Sequence, residues 1–263
     1  MPGVQIGKGT KVVVTGASRG IGEAIARALA DRGATVGLIA RTGGDLEQLR
    51  ADLPGDGHKA LTADVVDPKD VAGALEQFGE LDVLVANAGV ANYGRFVDQD
   101  PEAAQRMTQI NWYGTLNSVR AALPAMLARG RGHIVITSSG AALRTFPEAA
   151  VYGATKAAQR GFANALRQEL AGTGVSVTTV FPGEIKSHLH AHERDTMPEW
   201  YASERAADPE PLGKRVVQAV ERDKRELYHP PIVRALGFAE GLSPRLADFL
   251  LRRLRGRAAA PRK

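Results

Sequence analysis

The sequence predicts an α/β fold: a single domain on a doubly wound, mainly parallel sheet with helices on both faces. Three observations carry this. Short apolar, β-branched runs alternate with helical stretches through most of the chain, as in a parallel sheet covered on both sides. The first run passes through a glycine-rich turn into a helix. The residues able to do chemistry fall at the carboxyl ends of the runs, or on the helix that follows, apart from one asparagine. That edge is where open α/β sheets bind ligands.

Taken in order, Lys11–Val14 is a first strand, and Thr15-Gly16-Ala17-Ser18-Arg19-Gly20-Ile21-Gly22 leads into a helix over 23–32 that ends at Gly33. Between strand and helix, Gly16 suits a tight turn, Gly20 a close approach to a pyrophosphate, and Gly22 close helix–strand packing. The helix N-terminus then offers free N–H groups and a favourable dipole to an anion. A second strand covers 34–40, with Arg41 after it. The third strand is read over 58–65, ending at Asp64, and a helix over 68–78 has Pro68 at its start. The fourth strand, 81–86, runs into Asn87-Ala88-Gly89. Residues 101–129 read as one long helix carrying Asn111 midway, with a kink expected at Pro124. A fifth strand over 132–137 meets Ser138-Ser139, a helix covers 150–171, and a sixth strand over 175–181 ends at Pro182-Gly183. The domain is drawn as 1–257, followed by a tail, 258–263, expected to be disordered.

Composition narrows the classes. A length of 263 residues fits one domain with a sizeable core, and 44% hydrophobic and 24% charged residues are ordinary. The absence of cysteine excludes disulfides and thiolate metal sites and fits a cytoplasmic protein. No apolar run approaches the ~20 residues of a membrane span, and Met1–Lys8 lacks a signal-peptide core. The net charge of +5 could suggest nucleic acid, but residues 245–263 hold seven Lys/Arg against Asp248 alone. The body is near neutral, so a nucleic-acid partner is not expected.

Tyr152 and Lys156 lie four apart on the 150–171 helix, one turn from each other on one face. An ammonium there should favour the phenolate and lower the phenol pKa, making the pair a candidate acid/base device.

In order along the chain, Thr15-Gly-Ala-Ser-Arg-Gly-Ile-Gly22, Asp64, Asn87-Ala-Gly89, Asn111, Ser139, Tyr152-x-x-x-Lys156 and Pro182-Gly183 resemble the short-chain dehydrogenase/reductase superfamily. The likeness is to its single-domain, Rossmann-type branch and covers roughly residues 8–230. Ser139 is chosen over Ser138 because it lies thirteen residues before Tyr152, the family spacing. Two departures stand out: Ala86 where a second Asn often precedes Asn87, and Ser187 where a Thr usually follows the Pro-Gly turn. The resemblance implies hydride transfer between a nicotinamide and a carbonyl or alcohol. Tyr152 would be the acid/base, Lys156 its support and a ribose contact, and Ser139 a donor to the substrate oxygen. Asn111 would hold a water linking Lys156 to solvent. The cofactor would touch Gly16, Ser18, Arg19, Gly20, Ile21, Gly22, Arg41, Asp64, Val65, Asn87, Ala88, Gly89, Tyr152, Lys156, Pro182, Gly183, Ile185 and Ser187. The resemblance also implies a substrate lid at 188–210 and a homodimer or homotetramer pairing helices 101–129 and 150–171.

The second strand ends at Arg41 with no acid before Asp45. NAD-binding folds commonly place an acid there, for the ribose 2′-hydroxyl. Arg41 and Arg19 could bind a 2′-phosphate instead, so NADP(H) is expected over NAD(H). Leu189, Met197, Trp200 and Tyr201 give the lid enough apolar surface for a bulky hydrophobic substrate, although Met197, Trp200 and Tyr201 could equally pack the lid down. His188 and His192 would share a helical face, yet no metal is expected. Residues 242–257 read as an amphipathic basic helix packing on its own body or a sister subunit, in preference to an anionic membrane. A nucleotide-sensing or scaffold protein would need only the glycine turn, whereas this chain keeps Asn111, Ser139, Tyr152 and Lys156 as well. An epimerase or dehydratase would need a substrate domain after residue 183, where only 80 residues remain.

Overall fold

Along the chain the elements are Lys11–Thr15 (β1), Gly20–Ala30 (α1), Thr35–Ala40 (β2), Gly43–Asp52 (α2), Lys59–Thr62 (β3), Pro68–Phe78 (α3), Val83–Ala86 (β4), Pro101–Thr108 (α4), a π-turn over Gln109–Tyr113, Gly114–Arg129 (α5), Gly132–Thr137 (β5), Ala150–Glu169 (α6), Val175–Pro182 (β6), Pro209–Glu221 (α7), Glu226–His229 (β7) and Ile232–Leu242 (α8). They come from a computed structural model that describes residues 3–186, 206–245 and 249. All seven strands pair in parallel in the order β3-β2-β1-β4-β5-β6-β7. The chain builds outward from β1 to one edge and returns to place β4 on the other side of β1. A crevice opens at that reversal, at the carboxyl ends of the strands.

Alternation along the strands divides the core. On one face Val12, Val14, Val36, Leu38, Val83 and Val85 pack with Ile25 and Leu29 of α1 and Val216, Val217 and Val220 of α7. On the other, Val13, Ile39, Leu84, Ile134 and Ile136 meet Phe78, Met126 and Leu166 from α3, α5 and α6. One residue along a strand changes the face, and each face is closed by its own helices. Among the described residues, no helix is long and apolar enough to cross a membrane.

Several boundaries differ from the sequence reading. The third strand starts later because the His58 ring takes its place, with Nδ1 accepting from Val36 N–H at 3.0 Å. It ends earlier, at Thr62, because the Asp64 carboxylate accepts from Val66 N–H at 3.0 Å and turns the chain toward α3. The expected 101–129 helix departs from α geometry at the π-turn containing Asn111, whereas α5 continues past Pro124 without a break. The expected 242–257 helix does not begin at Leu242. That residue ends α8, and Ser243 is extended at φ −161°, ψ 115°. Leu246, Leu250, Leu254, the tail and residues 188–205 of the lid lie outside the described residues.

His133 on β5 is fully buried, with Nε2 2.8 Å from Thr178 Oγ1. That hydroxyl donates to Lys224 O, so Nε2 carries the proton. Nδ1 is buried without a hydrogen-bond partner. A second proton would find no acceptor there, and burial depresses the pKa from 6.5 to about 4. The unfolded chain therefore binds the extra proton first. Stability is expected to be undiminished above pH 6.5 and to fall between 6.5 and about 4, by about 3 kcal/mol from this group. Denaturant melts across that range should show the loss, and His133→Gln should flatten it.

Candidate active site

The glycine turn leaves β1 with Gly16 at φ 65° and enters α1 with Gly20 at φ 62°. A Cβ on Gly16 would lie 2.7 Å from Ala88 Cα, and one on Gly22 would fall on the Gly16 carbonyl. Side chains are excluded here because β4, the turn and α1 touch backbone to backbone. Hydrogen bonds fix the contact. Thr15 Oγ1 accepts from Asn87 N–H at 3.0 Å and Ala88 N–H at 3.1 Å. Asn87 Nδ2 donates back to Thr15 O at 3.1 Å and Gly16 O at 3.3 Å.

A cavity of about 550 Å³ runs from this turn across the carboxyl ends of the strands. Of the residues named from the sequence, Gly16, Ser18, Arg19, Gly20, Ile21, Gly22, Arg41, Asp64, Val65, Asn87, Ala88, Gly89, Ser139, Tyr152, Lys156, Pro182, Gly183 and Ile185 all line it. Asn111 lies behind the wall, fully buried, and Ser187, His188 and His192 lie outside the described residues. The described residues contain no cluster of three or more His, Cys, Asp or Glu able to hold a metal. Arg19 and Arg41 are exposed at the turn end, and Arg19 lies 3.8 Å from the carboxylate of Asp45 on α2. The acid noted as remote in sequence thus reaches one of the two arginines.

In the middle of the cavity, Ser139 stands beside Tyr152, and its Oγ accepts from Ala141 N–H at 3.1 Å. Ser138 turns the other way, donating to Lys156 O at 2.8 Å. The Lys156 Nζ donates to Thr137 O at 3.1 Å and lies 5.9 Å from the Tyr152 ring centroid. Gly89 backs onto it: a Cβ there would be 3.4 Å from Nζ and 3.2 Å from Asn111 Oδ1.

The expected electrostatics are overturned in this state. Tyr152 and Lys156 are 8% and 4% exposed. Burial raises the Tyr152 pKa above its ordinary value, with the Ser139 hydrogen bond opposing, and lowers Lys156 to about 7. Each group loses more by taking its charge out of water than it gains from the other. Spacing alone identified the neighbours but not their surroundings.

Asn111 is held on every side by protein groups. Its Oδ1 accepts from Val90 N–H at 2.8 Å, and its Nδ2 donates to Val90 O at 2.9 Å and Thr155 Oγ1 at 3.1 Å. Its main-chain oxygen, offset by the π-turn, accepts from Thr115 Oγ1 at 2.8 Å and Gln159 Nε2 at 2.9 Å. Both lone pairs of that carbonyl are therefore engaged by protein. Asn111 clamps the segment after Gly89 and ties α6 to the π-turn.

Sequence reading gave no role to Thr15 or Ser138 and did not single out Thr155 or Gln159, whose hydroxyl and amide groups hold the named residues in place. It also missed Tyr93, which meets Tyr152 edge-on with centroids 5.8 Å apart. The one available signal was position, since Thr15 and Ser138 adjoin named residues and Thr155 and Gln159 share the buried face of α6 with Tyr152.

Comparison with known proteins gives a consistent picture. The short chain dehydrogenase family profile matches residues 10–198. The chain is 39% identical over 224 residues to a glycine betaine reductase of Emericella nidulans, covering 81% of this chain but only 18% of that protein. A short chain dehydrogenase of Burkholderia cenocepacia, solved in complex with NADP, superposes with a TM-score of 0.80 at 28% identity, over 94% of this chain and 99% of that one. A 3-oxoacyl-[acyl-carrier protein] reductase of Brucella melitensis, solved with bound NAD, gives 0.72 at 27% identity, over 84% and 90%.

The buried Lys156 sets up a measurable conflict between stability and site chemistry. Below pH 7 it is charged in both folded and unfolded chains and carries the full burial penalty; above its ordinary value of 10.5 it carries none. Lys156→Met is expected to stabilise the cofactor-free protein by up to a few kcal/mol at pH 7 and below, the gain fading toward pH 10.5. Thermal melts of the two proteins against pH check this.

Proposed function

The chain belongs to the short-chain dehydrogenase family, and from that we propose an NADP(H)-dependent oxidoreductase that transfers a hydride between nicotinamide and the carbonyl or secondary alcohol of an apolar substrate. The observation that carries the reading is one cavity lined at one end by the glycine turn and in its middle by Ser139, Tyr152 and Lys156.

A dinucleotide fits the residues present. Gly20, Ile21 and Gly22, the first residues of α1, line the end of the cavity, and the free N–H groups and dipole of such a helix start suit an anion. Asp64 and Val65 would border the adenine, Asn87, Ala88 and Gly89 the ribose, and Pro182, Gly183, Ile185 and Ser187 the nicotinamide amide. The bound nicotinamide supplies or accepts the hydride. Tyr152 gives its proton to the substrate oxygen during reduction and takes it back in oxidation. Ser139 donates to the same oxygen and steadies its developing charge. Lys156, protonated, favours the phenolate left behind and would hold ribose hydroxyls. Asn111 acts as a positioning residue through Val90 and Thr155.

At the far end the wall is apolar, formed by Val90, Tyr93, Phe146, Ile232, Val233 and Leu236. Among the described lining residues, Arg144 lies 3.4 Å from Glu240 of α8, and Glu184 also lines the cavity. An uncharged, hydrophobic carbonyl compound suits this lining. A cytoplasmic homo-oligomer pairing its long helices, 101–129 and 150–171, is part of the same reading; Tyr113 of the π-turn and Leu127 of α5 are exposed.

Tyr152→Phe should lower turnover of a ketone panel by about 10²–10⁴-fold while largely keeping NADPH binding; full activity would sink the assignment. A parent protein that binds NADPH and turns over no carbonyl compound would be a nucleotide sensor instead.

Arg41 and Arg19 support the cofactor choice. Hydrogen bonds between charged groups contribute about 1.5–3 kcal/mol each, or about one to two powers of ten. The expected preference for NADPH over NADH is at least about tenfold in kcat/KM, reduced by whatever Asp45 neutralises. Arg41→Asp should shrink or reverse it. Equal use of both cofactors at low salt, where the charge effect is largest, would show that these arginines do not read the phosphate.

A further inference from the structure

We propose that the mouth of the cavity sits on an anionic lipid surface, held there by the outer face of α8 and by the loop carrying Phe96 and Val97. Two elements bank the substrate end of the cavity, the loop with Tyr93 and the helix with Ile232. Each carries large apolar side chains turned to solvent: Phe96 is 71% and Val97 75% exposed, and on α8 Ile232 is 50%, Phe238 74% and Leu242 69% exposed. A single exposed leucine is ordinary. Five large apolar residues on the two elements that bound one cavity are not scatter.

The build of α8 points the same way. Its inner side is accounted for: Val233 and Ala239 are buried, a Cβ on Gly237 would meet Leu143 at 3.0 Å, and Glu240 pairs with Arg144. Phe238 and Leu242, one turn apart, share the opposite side. A helix apolar on both sides is not built for water on one of them.

Charge selects the occupant. Arg234 and Arg245 flank the α8 residues, Arg95 beside Phe96 pairs with Asp98 at 3.4 Å, and residues 245–263 carry seven Lys/Arg against one acid. Anionic headgroups complement that excess, and apolar side chains beside basic ones are the pattern of a helix lying in a lipid interface. A second copy seated on the same face would set this excess against itself across a two-fold axis. Taken with the function proposed above, on which this step alone rests, an apolar carbonyl substrate dissolved in the bilayer would meet the cavity mouth directly.

The test is sedimentation of the full-length protein with vesicles of phosphatidylcholine alone, or with phosphatidylglycerol in equal parts. Binding is expected to the second and to be weakened by salt. The pair Phe238→Glu with Leu242→Glu should weaken it by about tenfold or more, and Phe96→Glu separately in the same direction. Melting temperature and NADPH affinity serve as folding controls. Absence of binding to the anionic vesicles, or variants that bind like the parent, would overturn the proposal. So would light scattering that shows a parent dimer dissolved by the α8 pair, because a second copy would then cover the face. Sedimentation needs no turnover, so a failed carbonyl panel would count against the enzymatic reading and not against this one.

Discussion

The site depends on the clasp between Thr15 and Asn87. The sheet order brings β1 and β4 side by side at the point where the chain reverses direction, but adjacency leaves the loops beyond the strands undetermined. Four hydrogen bonds centred on Thr15 determine them, two into its hydroxyl and two from the Asn87 amide to the turn carbonyls. Every partner is backbone or a short side chain, so there is little rotamer freedom to lose. Because the turn and Asn87-Ala-Gly89 are locked together, Gly89 can stand against Lys156 Nζ and Asn111 Oδ1. The cofactor end and the acid/base end of the cavity are thereby held in register.

A second constraint runs across α6. Its buried face presents Tyr152, Thr155, Lys156 and Gln159 in successive turns. Tyr152 and Lys156 face the cavity. Thr155 and Gln159 hold the π-turn. The groups that would react and the groups that position them are interleaved on one helix, so motion of α6 would disturb both. Burying a lysine and a phenol together is a cost to folding that the hydrophobic packing of the two faces of the sheet must offset.

Much of this was legible in the sequence. The strands β1, β2, β4, β5 and β6 are short apolar runs bounded by glycine, proline or polar residues, and they fell close to where they were read. The residues gathered at their carboxyl ends came together because a parallel sheet puts those ends on one edge. The elements α2, α7, β7 and α8 were not read. Glu226–His229 is a four-residue edge strand without alternation, and Ile232–Leu242 is apolar on both sides and so lacks the amphipathic period that marks a surface helix. The π-turn was invisible because nothing in Gln-Ile-Asn-Trp-Tyr distinguishes one extra residue per turn from none. The shifts at Tyr152 and Lys156 were misjudged because spacing reports distance, whereas the sign of the shift depends on how much water surrounds each group.

The π-turn has a consequence for how such a site can change. Its wider turn inserts about one residue into the helix. Loss of a single residue within 109–113 would leave a helix of good α geometry and would cost α4 and α5 little in their own hydrogen bonding. Because the wide turn already absorbs the extra residue, the two flanks would stay nearly in phase, and the change would be local: Asn111 would shift off Val90 and its carbonyl off Gln159. The fold would survive that deletion more readily than the site. The position is therefore more exposed to a frame-preserving loss of one codon than to most substitutions around it, and a descendant that kept every named side chain could still lose their arrangement.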